Sequence, residues 1–61
     1  MKLEWSLSSP SVVFLDGTVA PFESADLYVD ADGRPVVVQA RGFDKSTATI
    51  PWSQIKRISH A

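Results

Sequence analysis

The chain has 61 residues, 44% of them hydrophobic and 21% charged, with a formal net charge of −1. These values fit one folded domain over residues 1–61 and exclude both a second core and wholesale disorder. With no Cys and a single His, neither a disulfide, a thiolate site nor a histidine cluster can form, so no cofactor or metal is expected.

In Lys2-Leu3-Glu4-Trp5-Ser6-Leu7-Ser8 the apolar residues fall at every second position, which predicts a half-buried strand with Leu3, Trp5 and Leu7 on one face. Ser8-Ser9-Pro10-Ser11 then reads as a turn. Val12 to Leu15 is β-branched and aromatic, a second strand, followed by the hairpin signal Asp16-Gly17. Thr18 to Phe22 leads out of that turn, with Pro21 marking an edge, a bend or a bulge.

Ala25 to Ala40 is the clearest unit. With Asp32-Gly33 at the centre of a two-residue turn, Val29 faces Val36, Leu27 faces Val38 and Ala25 faces Ala40, so one face is wholly apolar. Leu27, Val29, Val36 and Val38 are then expected to be buried together. Tyr28 with Val37, Asp26 with Gln39, and Ser24 with Arg41 share the opposite face. Gly42 to Ser46 is the next connection and Thr47 to Ile50 a short strand. Pro51-Trp52-Ser53-Gln54 suggests one tight 3-10 turn, and Ile55 to Ser59 a last strand.

Five or six short antiparallel strands without a capped helical period predict an all-β protein, at this size a small barrel. Ile50, Ile55 and Ile58 are expected to serve the fold, with Lys56 and Arg57 in solvent and Trp52 mostly buried at a barrel end. The longest apolar run, Val12 to Leu15, is far short of the roughly 20 residues of a membrane span. Met1 to Ser9 alternates and lacks the apolar block of a secretion signal, so a soluble, cytoplasmic protein is expected.

Charge divides along the chain. Residues 1–33 set Lys2 against Glu4, Asp16, Glu23, Asp26, Asp30 and Asp32, whereas residues 34–61 set Arg34, Arg41, Lys45, Lys56 and Arg57 against Asp44. Acidic and basic strands lying side by side would satisfy each other; complementary surfaces for a partner would use the same division.

Chemistry is sparse. Read as a calcium loop, Asp30-Ala31-Asp32-Gly33 would have Tyr28 first and Gln39 last, so both the opening and the closing carboxylate are missing. The lone His60 lacks a nucleophile on its own strand face, and the three Gly are isolated, so no phosphate-cradling loop is present. Catalysis would need a pocket gathering Asp26, Asp30 and a cation. Binding therefore leads: an apolar contact at Tyr28 and Val37, and basic groups Arg41, Lys45, Lys56 and Arg57 beside Phe43 and Trp52. A core this small also favours association, with a protein partner or a second copy. Cations interleaved with aromatics equally suit single-stranded RNA or DNA, although a pI near 5.6 is low for such a domain.

Val12-Val13-Phe14-Leu15-Asp16-Gly17-Thr18 resembles the first strand and turn of Sm-like and other SH3-like small barrels. Ile50 to Ile58 resembles their tight turn and closing strand, and the resemblance spans residues 11–59. It implies a long bent second strand, a hairpin, a short fourth strand and a closing strand. The chain departs from Sm-like RNA binders in reading as a strand at Leu3 to Leu7, in placing Pro21 at the bend, and in lacking their Asn-containing loop. The resemblance thus implies the fold rather than RNA binding, and the function expected is a non-enzymatic binding module, such as an accessory or inhibitor protein.

Overall fold

A computed structural model describes residues 1–60. It has seven strands: β1 (Lys2–Ser8), β2 (Pro10–Phe14), β3 (Val19–Pro21), β4 (Ser24–Val29), β5 (Pro35–Arg41), β6 (Thr47–Pro51) and β7 (Ile55–His60). A 3-10 turn, Trp52–Gln54, joins the last two. The strands form two antiparallel sheets, one of order β1-β4-β5-β6 and one of order β3-β2-β7. Among the described residues no helix is long and apolar enough to cross a membrane.

Two kinds of connection build this arrangement. Links within a sheet are hairpins, and links between sheets carry proline. The chain passes from the larger sheet to the smaller between Ser8 and Pro10, returns between Pro21 and Ser24, and passes again between Pro51 and Ile55. Pro lacks the N–H that a continuing ladder needs, so each corner ends one sheet and starts the other. Ser9 turns its corner at φ 52°. Two corners are tied together, Ser9 N–H donating to the Glu23 carbonyl and Phe22 N–H to the Pro10 carbonyl, each at 2.9 Å.

The class is all-β as expected, with the 3-10 turn where Pro51-Trp52-Ser53-Gln54 suggests it. The sheets do not close into a barrel: β6 and β7 are separate edges joined only through the 3-10 turn, and β1 takes the remaining edge of β4. The strand count rises to seven because the expected bent second strand is broken at Pro21 into β3 and β4.

All three hairpins share one loop of three residues. The N–H of Phe14, Asp30 and Gly42 each donates to the carbonyl four residues on, and the N–H three residues on donates back, at 2.8–3.0 Å. The residue before strand exit is left-handed in each: Gly17 at φ 91°, Gly33 at φ 82° and Lys45 at φ 71°. This is a type I turn followed by a glycine-type bulge. The Asp-Gly pairs therefore do not centre two-residue turns; Asp occupies the third turn position and Gly the bulge.

Side-chain carboxylates lock the loops. Thr18 N–H donates to Asp16 Oδ1 at 2.9 Å. Ser46 gives Asp44 Oδ1 both its hydroxyl, at 2.6 Å, and its N–H, at 3.0 Å. The Thr18 amide holds Asp16 below its ordinary value of 3.8, and the Ser46 hydroxyl does the same for Asp44. A folded-state pKa below the unfolded one means stability that is present above pH 3.8 and lost as pH falls through the folded value. Asn at both positions keeps an acceptor oxygen but cannot titrate. The D16N/D44N protein is therefore expected to lose less stability than the parent in thermal melts from about pH 5 down to about pH 2; parallel curves would show that the two carboxylates contribute nothing.

The core lies between the sheets. From the larger sheet come two register lines, Trp5-Leu27-Val38-Ile50 and Leu7-Ala25-Ala40-Ala48. From the smaller sheet come Ala20-Val12-Ile58 and the pair Phe14-Ile55. Val12, Leu27, Val38, Ile50 and Ile55 are buried, with Trp5, Phe14, Ile58 and Trp52 packed around them. Pro10, expected only to break a strand, opens β2 and is fully buried. Trp52 is half-buried rather than mostly buried, because the turn that carries it lies at the margin of the core. Lys56 and Arg57 are exposed.

Two further expectations fail. Among the described residues the only ion pair is Lys45–Glu23, at 3.1 Å and exposed, so acidic and basic strands do not neutralise one another. Asp26 faces Gln39 and Arg41 faces Ser24 in the ladder, because the charges fall on alternate rows. Val36 is also 39% exposed instead of buried against Val29.

Candidate functional site

The exposure of Val36 has a local cause. The three-residue loop pairs Val29 with Pro35, whereas Tyr28 pairs with Val37, so Val36 is the extra residue of a β-bulge. The register downstream is the expected one: Tyr28-Val37, Leu27-Val38, Asp26-Gln39, Ala25-Ala40 and Ser24-Arg41. A second bulge lies directly across β4. Leu3 pairs with Tyr28 and Trp5 with Leu27, which leaves Glu4 as the extra residue in β1.

Strict alternation would point Leu3 and Val36 toward the core on either side of Val29. Each bulge instead moves its residue outward, because one inserted residue reverses the facing of all beyond it. Leu3 ends 51% exposed. The result is an apolar line across all four strands on the solvent face: Leu3, Tyr28, Val37 and Pro51, with Val36 beside it. Val37 is buried within that line, Tyr28 is half-buried, and Pro51 is exposed.

The rest of this face is polar. Next comes Ser6-Asp26-Gln39-Thr49, then Ser8-Ser24-Arg41-Thr47. Ser24, Asp26, Gln39, Arg41 and Thr47 line a shallow depression of about 160 Å³. Asp26 and Arg41 thus share a pocket, but Asp30 does not join them. Its Oδ1 accepts the N–H groups of Asp32 and Arg34 in the hairpin, each at 2.9 Å. Among the described residues no group of three His, Cys, Asp or Glu could hold a metal ion.

The seven residues singled out by sequence fall into three places. Tyr28 and Val37 are adjacent in the apolar line, with Arg41 two rows along the same face. Phe43 stands at a hairpin tip, 64% exposed, and Lys45 in that loop is bound to Glu23 through its Nζ. Lys56 and Arg57 are on β7 in the other sheet, Arg57 in line with Val13 and Val19. The basic residues and Phe43 therefore do not form one surface. Leu3, Val36 and Pro51 are the contributors that sequence reasoning missed; the hydrophobic period assigns the first two to the core, and no residue pattern marks the bulges. No family model, curated protein or solved structure matches the chain.

Proposed function

We propose that this chain is a non-enzymatic protein-binding module whose contact surface is the apolar line Leu3-Tyr28-Val37-Pro51 with Val36. The observation that carries this reading is the pair of bulges at Glu4 and Val36. Each takes an aliphatic side chain from a core-facing position and sets it in solvent beside Tyr28. Bulges re-aim side chains, and apolar surface with an aromatic at its centre is the composition of protein interfaces. Fold class alone says nothing of function. The strand order from β2 to β7, with a 3-10 turn before the last strand, supports a distant SH3-like architecture opened at its seam, to which β1 is an addition.

A photoreactive amino acid at position 28 tests the reading in the cells that make the protein. Cross-links to protein, a second copy included, are expected from position 28 and not from position 53, on the exposed side of the 3-10 turn. Equal yields from both positions, or none from either, would sink the reading. Binding to single-stranded oligonucleotides that weakens steeply with salt, and is lost when Arg41 and Phe43 are changed, would replace it with nucleic-acid recognition.

A further inference from the structure

We infer that the partner seated on this face is a second copy of the same chain, packed sheet to sheet about a two-fold axis. The inference rests on the face being a protein-binding surface and adds its occupant. Four strands contribute three register lines to the outer face, and the two charges within those lines are Asp26 and Arg41, with the exposed Glu4 beside Leu3 at the β1 bulge. Neither Asp26 nor Arg41 has an ion-pair partner among the described residues. Asp26 and Arg41 balance each other, and Glu4 stands on the edge strand β1, so an axis through the middle of the sheet keeps the two copies' Glu4 at opposite margins of the contact. A face that carries both members of an ion pair, each unpaired, also meets the requirement of a two-fold interface that the surface complement itself.

The register fixes the arrangement. An axis along the strands, between β4 and β5, lays β4 over the partner's β5 and β1 over the partner's β6. Tyr28 then covers the partner's Val37, and Leu3 covers the partner's Pro51, so apolar line meets apolar line. Two rows away, each Arg41 lies over the other copy's Ser24, one row from its Asp26. Ser24 and Asp26 line the shallow depression on this face. The guanidinium of the opposite copy enters it and donates to the Asp26 carboxylate, a charge-assisted contact made twice.

Size sets the strength. Four strands about 4.8 Å apart and three rows about 7 Å apart give a contact well under the roughly 800 Å² per partner of a standard interface. The dimer is therefore weak, with dissociation in the micromolar range or above.

Sedimentation equilibrium of the purified chain over about 1 μM to 1 mM tests this directly. Dimer should accumulate across that range. Asp26→Arg and Arg41→Asp should each weaken association at least about tenfold, by setting like charges against each other, and the double exchange D26R/R41D should recover most of the loss. Tyr28→Ser should also weaken it, whereas Leu15→Ser, at a hairpin tip of the other sheet, should not. Thermal melts confirm that each variant is folded. A strict monomer at 1 mM, or a double exchange no better than the singles, overturns the inference. If the chain is monomeric while position 28 still cross-links to a different protein in cells, the second copy is wrong and the binding surface stands. If position 28 cross-links to nothing, both fall.

Discussion

Trp52→Ala is expected to lower the stability of the domain by about 3 kcal/mol, at the lower end of aromatic truncations because the side chain is only half-buried. Pro51 ends β6 in an extended conformation, φ −61° and ψ 138°, and the Ile55 N–H closes the 3-10 turn on the Trp52 carbonyl. That turn lets Trp52 pack against the core cluster between the two sheets. Truncation opens the seam where the sheets are joined by a single turn. For a core this small, which supplies about 3–5 kcal/mol, the variant should be largely unfolded at ambient temperature. Circular dichroism and a urea titration check it. A melting temperature close to that of the parent would mean that Trp52 serves a surface role instead.

Leu27→Ala should be comparably damaging, costing about 3 kcal/mol, while Leu3→Ala should cost no more than about 0.5 kcal/mol. Leu27 is 4% exposed and lies in the central core line between Trp5 and Val38. Leu3, on the same sheet and only two residues before Trp5, is 51% exposed. Simple alternation assigns both leucines to the core. The bulge at Glu4 separates them, so this pair of variants reads the bulge itself. Equal losses in a urea titration would place Leu3 in the core and remove the apolar line on which the proposed function depends. A large loss for Leu27 alone supports the register as described.

The two proposals draw on different parts of the same sheet and can fail separately. The apolar line gives the surface its affinity for protein. Asp26 and Arg41 decide whether that protein is a second copy. Lys56 and Arg57 enter neither surface, since they stand on β7 of the smaller sheet with no aromatic in line with them. Nor does Phe43, whose exposure at a hairpin tip is explained by the loop geometry that places Asp44 and Lys45.

Class, strand positions and most of the pairing can be read from the residues alone. Alternation and β-branched runs are local signals with a period of two, and five expected pairs from Ser24-Arg41 to Tyr28-Val37 are found as the sequence implies. Asp and Gly marked two hairpins and Pro marked the corners, because each acts on its own backbone dihedrals. The remainder depends on how the two sheets pack. Asp32-Gly33 is compatible with a two-residue or a three-residue loop, and the choice changes the count by one. The bulge at Val36 absorbs that residue, so the sheet keeps its register while Val36 turns outward. Across β4, the bulge at Glu4 does the same for Leu3. One residue reverses which face a side chain occupies, and no propensity records it, because the energy that selects the bulge lies in packing Leu27, Val29 and Val38 against the second sheet. The core was therefore legible in the residues, whereas the surface beside Tyr28 came into being only when the two sheets packed.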